Sequence, residues 1–168
     1  MDEQDISGTA DTNTANGADT APAIGMISQY VKDLSFESPN APAIFQNQIQ
    51  PNIEVEFNIG AAQVGEEVHE VLLKVQIRAK AEEQVAFIVE LAYAGLFGVR
   101  NVPEEHLQPF MLAEAPRLLF PFARRVLADA VRDGGFPPLM LDPIDFGMLY
   151  QQQLEAQQTL TEGVAGNA

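Results

Sequence analysis

The stretch Phe122–Tyr150 (FARRVLADAVRDGGFPPLMLDPIDFGMLY) restricts the fold more than any other part of the chain. Leu118, Leu119, Phe122, Val126, Leu127, Ala130 and Val131 recur at three- and four-residue spacing, which predicts one apolar helix face. Arg124, Arg125, Asp129, Arg132 and Asp133 fall mostly on the other face. Gly134-Gly135 ends that helix, and Pro137-Pro138 forbids another, so Leu139-Met140-Leu141 is presented as an extended run. Asp142-Pro143 predicts a second helix start, with Phe146, Leu149 and Tyr150 on its apolar face. Such a segment is a lid hinged onto something else.

That something else is a sheet. Ile53, Val55, Phe57 and Ile59 alternate with Glu54, Glu56 and Asn58, the period of a half-buried strand. Val71, Leu73, Val75, Ile77 and Ala79 alternate with Glu70, Lys74, Gln76 and Arg78. Val85, Phe87, Val89, Leu91 and Tyr93 continue an apolar face after a short charged turn, predicting an antiparallel hairpin. An earlier strand, Met26–Phe36, places Met26, Tyr30, Leu34 and Phe36 on one side, with Asp33, Ser35 and Glu37 on the other. Four strands followed by helices, instead of alternating with them, predict an α+β domain with the helices on one face. Beyond Pro103, the prolines Pro109, Pro116 and Pro121 predict a broken helical segment, a short helix to about Ala115 and a longer one to Asp133, kinked or restarted near Pro116 or Pro121.

Residues 1–24 carry almost no large apolar groups and are expected to be a disordered acidic tail. The domain is expected at 25–158, with a second disordered tail at 159–168. No run of eighteen apolar residues occurs, and the first residues lack the basic and apolar regions of a secretory signal. With no cysteine, the chain has no disulfide, thiol nucleophile or thiolate metal site, which fits a cytoplasmic protein. The formal charge of −15 is not confined to the ends, and it disfavours nucleic acid and anionic lipid while suiting a basic partner.

No reaction chemistry emerges. His69 and His106 stand far apart, no serine lies in a GxSxG elbow, and neither GxxxxGK[ST] nor GxGxxG is present. An enzyme is not indicated, and no cofactor or metal is expected. Two features remain unexplained by a closed core alone. The second face of the last strand, Ala86, Ile88, Glu90, Ala92 and Ala94, is small and apolar: a docking patch, a subunit contact, or a face covered by a tail. The proline-rich loop also holds Ile44 and Phe45 without periodicity, opposite the apolar residues of the final helix. Together with the sheet they would line a groove for extended apolar polypeptide, or else simply close the core.

Several long motifs decide between these. Lys32–Pro42 (KDLSFESPNAP), Phe45-Gln46, Leu118–Arg124 (LLFPFAR), Gly135–Phe146 (GFPPLMLDPIDF) and the glutamine-rich end are similar to those of the SecB family of protein-export chaperones. The likeness runs from about Met26 to Gln153. It implies a four-stranded antiparallel sheet with two helices packed on one face, assembled as a homotetramer, a dimer of dimers. It implies a chaperone that keeps unfolded preproteins translocation-competent and delivers them to the SecA motor. By the resemblance, Asp33, Glu37, Ile88 and Glu90 would dock SecA, whose basic tail carries its own zinc. Ile44, Phe45, Ile49, Ile53, Val55, Phe57, Phe146, Leu149 and Tyr150 would line the client groove. Ile49 stands where relatives can carry an aromatic, which would alter the depth of that subsite. A SecB-like chaperone dedicated to a toxin–antitoxin pair would share fold and groove without needing the acidic set. A small-ligand protein or enzyme would instead need a closed pocket with convergent polar groups.

Overall fold

The structure, a computed structural model, describes residues 20–48 and 50–165. Ile49 and most of the predicted N-terminal tail lie outside the described residues. Strands β1 (Ala23–Glu37), β2 (Asn52–Gly65), β3 (Val68–Ala81) and β4 (Gln84–Arg100) form one antiparallel sheet in the order β1-β4-β3-β2. Two-residue turns at Glu66-Glu67 and Glu82-Glu83 join β2 to β3 and β3 to β4. Glu67 and Glu82 take positive φ there, 55° and 56°, because a tight hairpin must match the right-handed twist of its strands.

The period-two runs of β2 and β3 face as the sequence predicts. Val71, Leu73, Val75, Ile77 and Ala79 are fully buried, while Glu54, Glu56, Lys74 and Gln76 share the opposite face. Two strands depart from the pattern because each contains a bulge, and one extra residue reverses every side chain beyond it. In β1 the register shifts between Met26 and Ser28 and again between Val31 and Asp33. Tyr30 therefore pairs with Ala94 on the outer face, not with the Leu34 and Phe36 face that simple alternation gives it. In β4 the shift falls beside Ala86, so Val85 pairs with Lys80 on the outer face and Ala86 turns inward.

Helix α1 (Glu104–Pro109) passes through a π turn (Phe110–Glu114) into α2 (Ala115–Asp133). The restart expected near Pro116 is found there, as a π turn between the short and the long helix, whereas none occurs at Pro121. The wide turn, in which the Ala115 N–H reaches back to the Phe110 carbonyl, takes up the irregularity just before Pro116, which opens α2. Pro121 lies inside α2 without ending it. Leu119, Ala123, Leu127 and Val131 are completely buried against the sheet. Leu118 and Phe122, predicted on the same face, stay 39% and 43% exposed on a neighbouring stripe. The helix ends as its two glycines predict. The Phe136 N–H bonds the Val131 carbonyl and the Gly135 N–H that of Arg132, with Gly135 at φ 90°.

The second long helix, α3 (Phe146–Ala165), begins later than Asp142-Pro143 predicts. Its cap is Asp145, whose carboxylate accepts the Met148 N–H at 2.9 Å, while Asp142-Pro143 belongs to the extended segment. The helix also runs past Gln158 to Ala165, so the expected tail at 159–168 is helical over its described part. No described helix is long and apolar enough to cross a membrane.

Candidate functional site: an apolar groove along one edge strand

The connection from β1 to β2 is pinned by its polar residues. Ser38 Oγ donates to the Ala86 carbonyl and Asn40 Nδ2 to the Val85 carbonyl, both at 2.9 Å, so the loop is fastened to the bulge of β4. A cis Ala41–Pro42 peptide precedes a single 3₁₀ turn, Ala43–Gln46. That turn drives Ile44 into the core at 4% exposure and leaves Phe45 at 49%. Phe45 is the outermost of a series of rings. It lies 5.1 Å from Phe136, which lies 4.9 Å from Phe87, which in turn stacks on Phe36 at 5.8 Å.

Around this series opens a pocket of about 520 Å³, lined by Phe45, Ile53, Ala86, Phe87 and Phe136–Leu139, with Asn47, Gln48 and Gln50 around it. A second, of about 400 Å³, lies between β2 and α3. Val55, Phe57, Ile59, Leu112, Leu149 and Tyr150 line it, with Gln152 and Gln153. Between them Phe146 is 2% exposed and meets Phe57 and Phe120 edge-on at 6.2 and 5.7 Å. Of the groove residues predicted, Ile44, Phe45 and Ile53 line the first pocket and Val55, Phe57, Leu149 and Tyr150 the second. Phe146 is a buried support, and Ile49 lies outside the described residues. Phe87, Phe136, Pro137, Pro138, Ile59 and Leu112 also line the groove. The Pro-Pro stop marked the chain there as extended, but nothing in the sequence set it opposite Phe45.

The outer face of the sheet carries the other predicted set. Glu37 sits opposite Ile88, Ser35 opposite Glu90 and Asp33 opposite Ala92, which brings Asp33, Glu37, Ile88 and Glu90 together on two adjacent strands. A shallow depression of about 560 Å³ includes Asp33 and Glu90, along with Lys32, Glu56, Lys74 and Gln76. Gln76 Nε2 donates to Glu90 at 3.0 Å. The acidic set is thus interleaved with Lys32 on β1 and with Lys74, which the register of β3 against β4 brings opposite Ala92.

Beyond the first β1 bulge, Tyr30 Oη donates to Glu70, and Lys32 pairs with the same carboxylate at 2.7 Å. The lysine first, and the tyrosine second, hold the Glu70 carboxyl below its ordinary range. The hydrogen bond to Glu70, with burial, pushes the Tyr30 phenol up. Among the described residues no group of three or more His, Cys, Asp or Glu is placed to hold a metal ion.

Fold and site together define an α+β binding protein built around an elongated apolar groove. Comparison with known proteins narrows this class to one family. The family model for preprotein translocase subunit SecB matches residues 17–157, and the chain belongs to that family. It is 64% identical to the protein-export protein SecB of Rhizorhabdus wittichii, over 92% of this chain and 93% of that one. It is likewise 59% identical to that of Zymomonas mobilis, over 88% and 91%. Among solved structures, a SecB-like chaperone of Mycobacterium tuberculosis, in complex with a ChAD peptide from an antitoxin, shares the fold. It superposes with a TM-score of 0.60 at 16% identity, covering 72% of this chain and 87% of that one.

Proposed function

We propose that this chain is a protein-export chaperone that holds unfolded preproteins in a translocation-competent state and passes them to the SecA motor. The observation that carries this reading is the groove: two apolar pockets in line, with Phe45 half exposed at one and amide side chains around both. An unfolded chain exposes apolar side chains together with backbone groups not paired within the chain, and the groove offers a surface for each.

Each pocket alone binds weakly, and several engaged along one client raise the overall avidity. A homotetramer, as a dimer of dimers, multiplies the grooves. Leu118 and Phe122 on α2, with Met26, Val31 and Leu34 on the helix side of β1, are exposed apolar residues suited to that assembly. Release belongs to SecA, which docks on Asp33, Glu37, Ile88 and Glu90 through a basic surface. The client residues are Ile44, Phe45, Ile53, Val55, Phe57, Leu149 and Tyr150 at the pockets, with Phe146 supporting them and Ile49, outside the described residues, counted with the set.

Light scattering of the purified protein tests the reading, alone and with a preprotein either unfolded or folded. The expected result is a tetramer that forms a soluble complex with the unfolded form only. A monomer indifferent to unfolded chains overturns it.

A further inference from the structure

The small outer face of β4 has a use. Tyr30 and Lys32 belong to β1 and Glu70 to β3, and β4 lies between them, so the three meet across roughly 10 Å of sheet. The β4 residue beside Tyr30 is Ala94 and the one beside Asp33 is Ala92, and neither has a side chain long enough to block the crossing. Tyr30 Oη donates to one oxygen of Glu70, and Lys32 Nζ donates to the other at 2.7 Å. Both oxygens are thus taken. The Glu70 side chain is 15% exposed against 49% for Lys32, so the carboxylate is the enclosed member of the pair and offers a partner little.

Lys32 reaches this face only through the second bulge of β1. Val31 pairs with Tyr93 and Asp33 with Ala92, which leaves Lys32 as the extra residue and turns two consecutive side chains outward. The bulge therefore sets an ammonium beside Asp33, and both residues line the same depression as Glu90. A basic partner needs Asp33 uncompensated, whereas a neighbouring lysine would neutralise it from within the chain. Among the described residues Asp33 takes part in no ion pair, while Lys32 is given to Glu70.

We propose that Glu70 is a positioning residue for the docking surface, which takes up the charge of Lys32 and so keeps Asp33 open to a basic partner. This rests on the reading that the acidic set docks SecA. Tyr30 fixes the second oxygen, so the carboxylate stays turned to the lysine. The effect of losing Glu70 is then felt at Asp33, a residue with which it shares no hydrogen bond.

The test is a titration of the full-length protein with SecA at low salt, with Glu70→Gln, Lys32→Met and Asp33→Asn made singly and combined. Glutamine keeps the size of the side chain and an acceptor for Tyr30, but leaves Lys32 without an anion. Asp33→Asn is expected to weaken binding about three- to fivefold in the wild-type background, the worth of one exposed charge pair. In the Glu70→Gln background the same change is expected to do little, and adding Lys32→Met there is expected to restore its full effect. Tyr30→Phe, which leaves both charges but frees the carboxylate to rotate, is expected to reduce the Asp33→Asn effect in the same direction by less. If negative charge merely adds up over the face, Asp33→Asn weakens binding by the same factor in every background, and that overturns the proposal. If Asp33→Asn changes nothing in the wild-type background, the docking reading at Asp33 falls, and the role of Glu70 with it.

Discussion

At Gly134 a hydrogen, not a conformation, is what the fold requires. Its φ of −75° is open to any residue, but an added Cβ would stand 2.1 Å from Cζ of Phe36. Gly134→Ala is expected to cost about 2 kcal/mol by overpacking, measured by chemical denaturation, and Phe36→Leu in the same chain to return part of it. Equal losses in the single and double variants would show that the ring is not the obstacle. Glu70 supplies a second test at this scale. Its carboxyl is held below its ordinary value of 4.5, so its contribution to stability is complete above that value and lost as pH falls through the lowered one. Glu70→Gln removes this contribution. The stability difference between wild type and variant is expected to shrink on acidification below about pH 4.5 and to be steady above about pH 6.

Among the elements, the 3₁₀ turn and α3 each carry one phenylalanine pointing out and one apolar group pointing in, or the reverse. Phe45 is half exposed, whereas Phe146 is enclosed by Phe57 and Phe120. Phe45→Ala is expected to lower stability by only about 1 kcal/mol, the worth of its contact with Phe136, while weakening the holding of unfolded client. Phe146→Ala is expected to cost about 3–5 kcal/mol, because it empties the core between α3 and β2. Denaturation and client-binding measurements on the pair separate groove from core. Comparable stability losses would mean that the two rings are equally structural. The loop that presents Phe45 depends on Ser38 and Asn40 at the β4 bulge, so Asn40→Ala should weaken client holding without touching any pocket residue.

For the whole molecule, the two faces of the sheet separate the two proposed tasks. The inner face carries the groove and the exposed apolar stripe of α2; the outer face carries the acidic set. Glu90→Ala is therefore expected to leave client holding and assembly intact while weakening SecA capture, most at low salt, where charge attraction is least screened. Unchanged SecA affinity at low ionic strength would remove Glu90 from the docking surface. Phe122→Glu, placed on the exposed stripe, is expected to yield a smaller species by light scattering, because it puts charge where apolar faces would meet.

The amino-acid sequence by itself determined the strands β2 and β3, the long helix and its glycine stop, and, through its motifs, the family. These are local matters: side-chain period, cap chemistry and backbone restrictions act over a few residues and can be read along the chain. The structure alone decided the face of Tyr30 and the exchange of Val85 with Ala86, because a bulge is visible only when a strand is paired. It decided that Asp145 starts α3, that the helix runs to Ala165, and that a π turn joins the short helix to α2 just before Pro116. It also decided which apolar residues make a surface. Phe45 and Phe146 are the same residue type in equally plausible positions, and only the packing of α3 onto β2 and α2 buries one while the other stays half exposed.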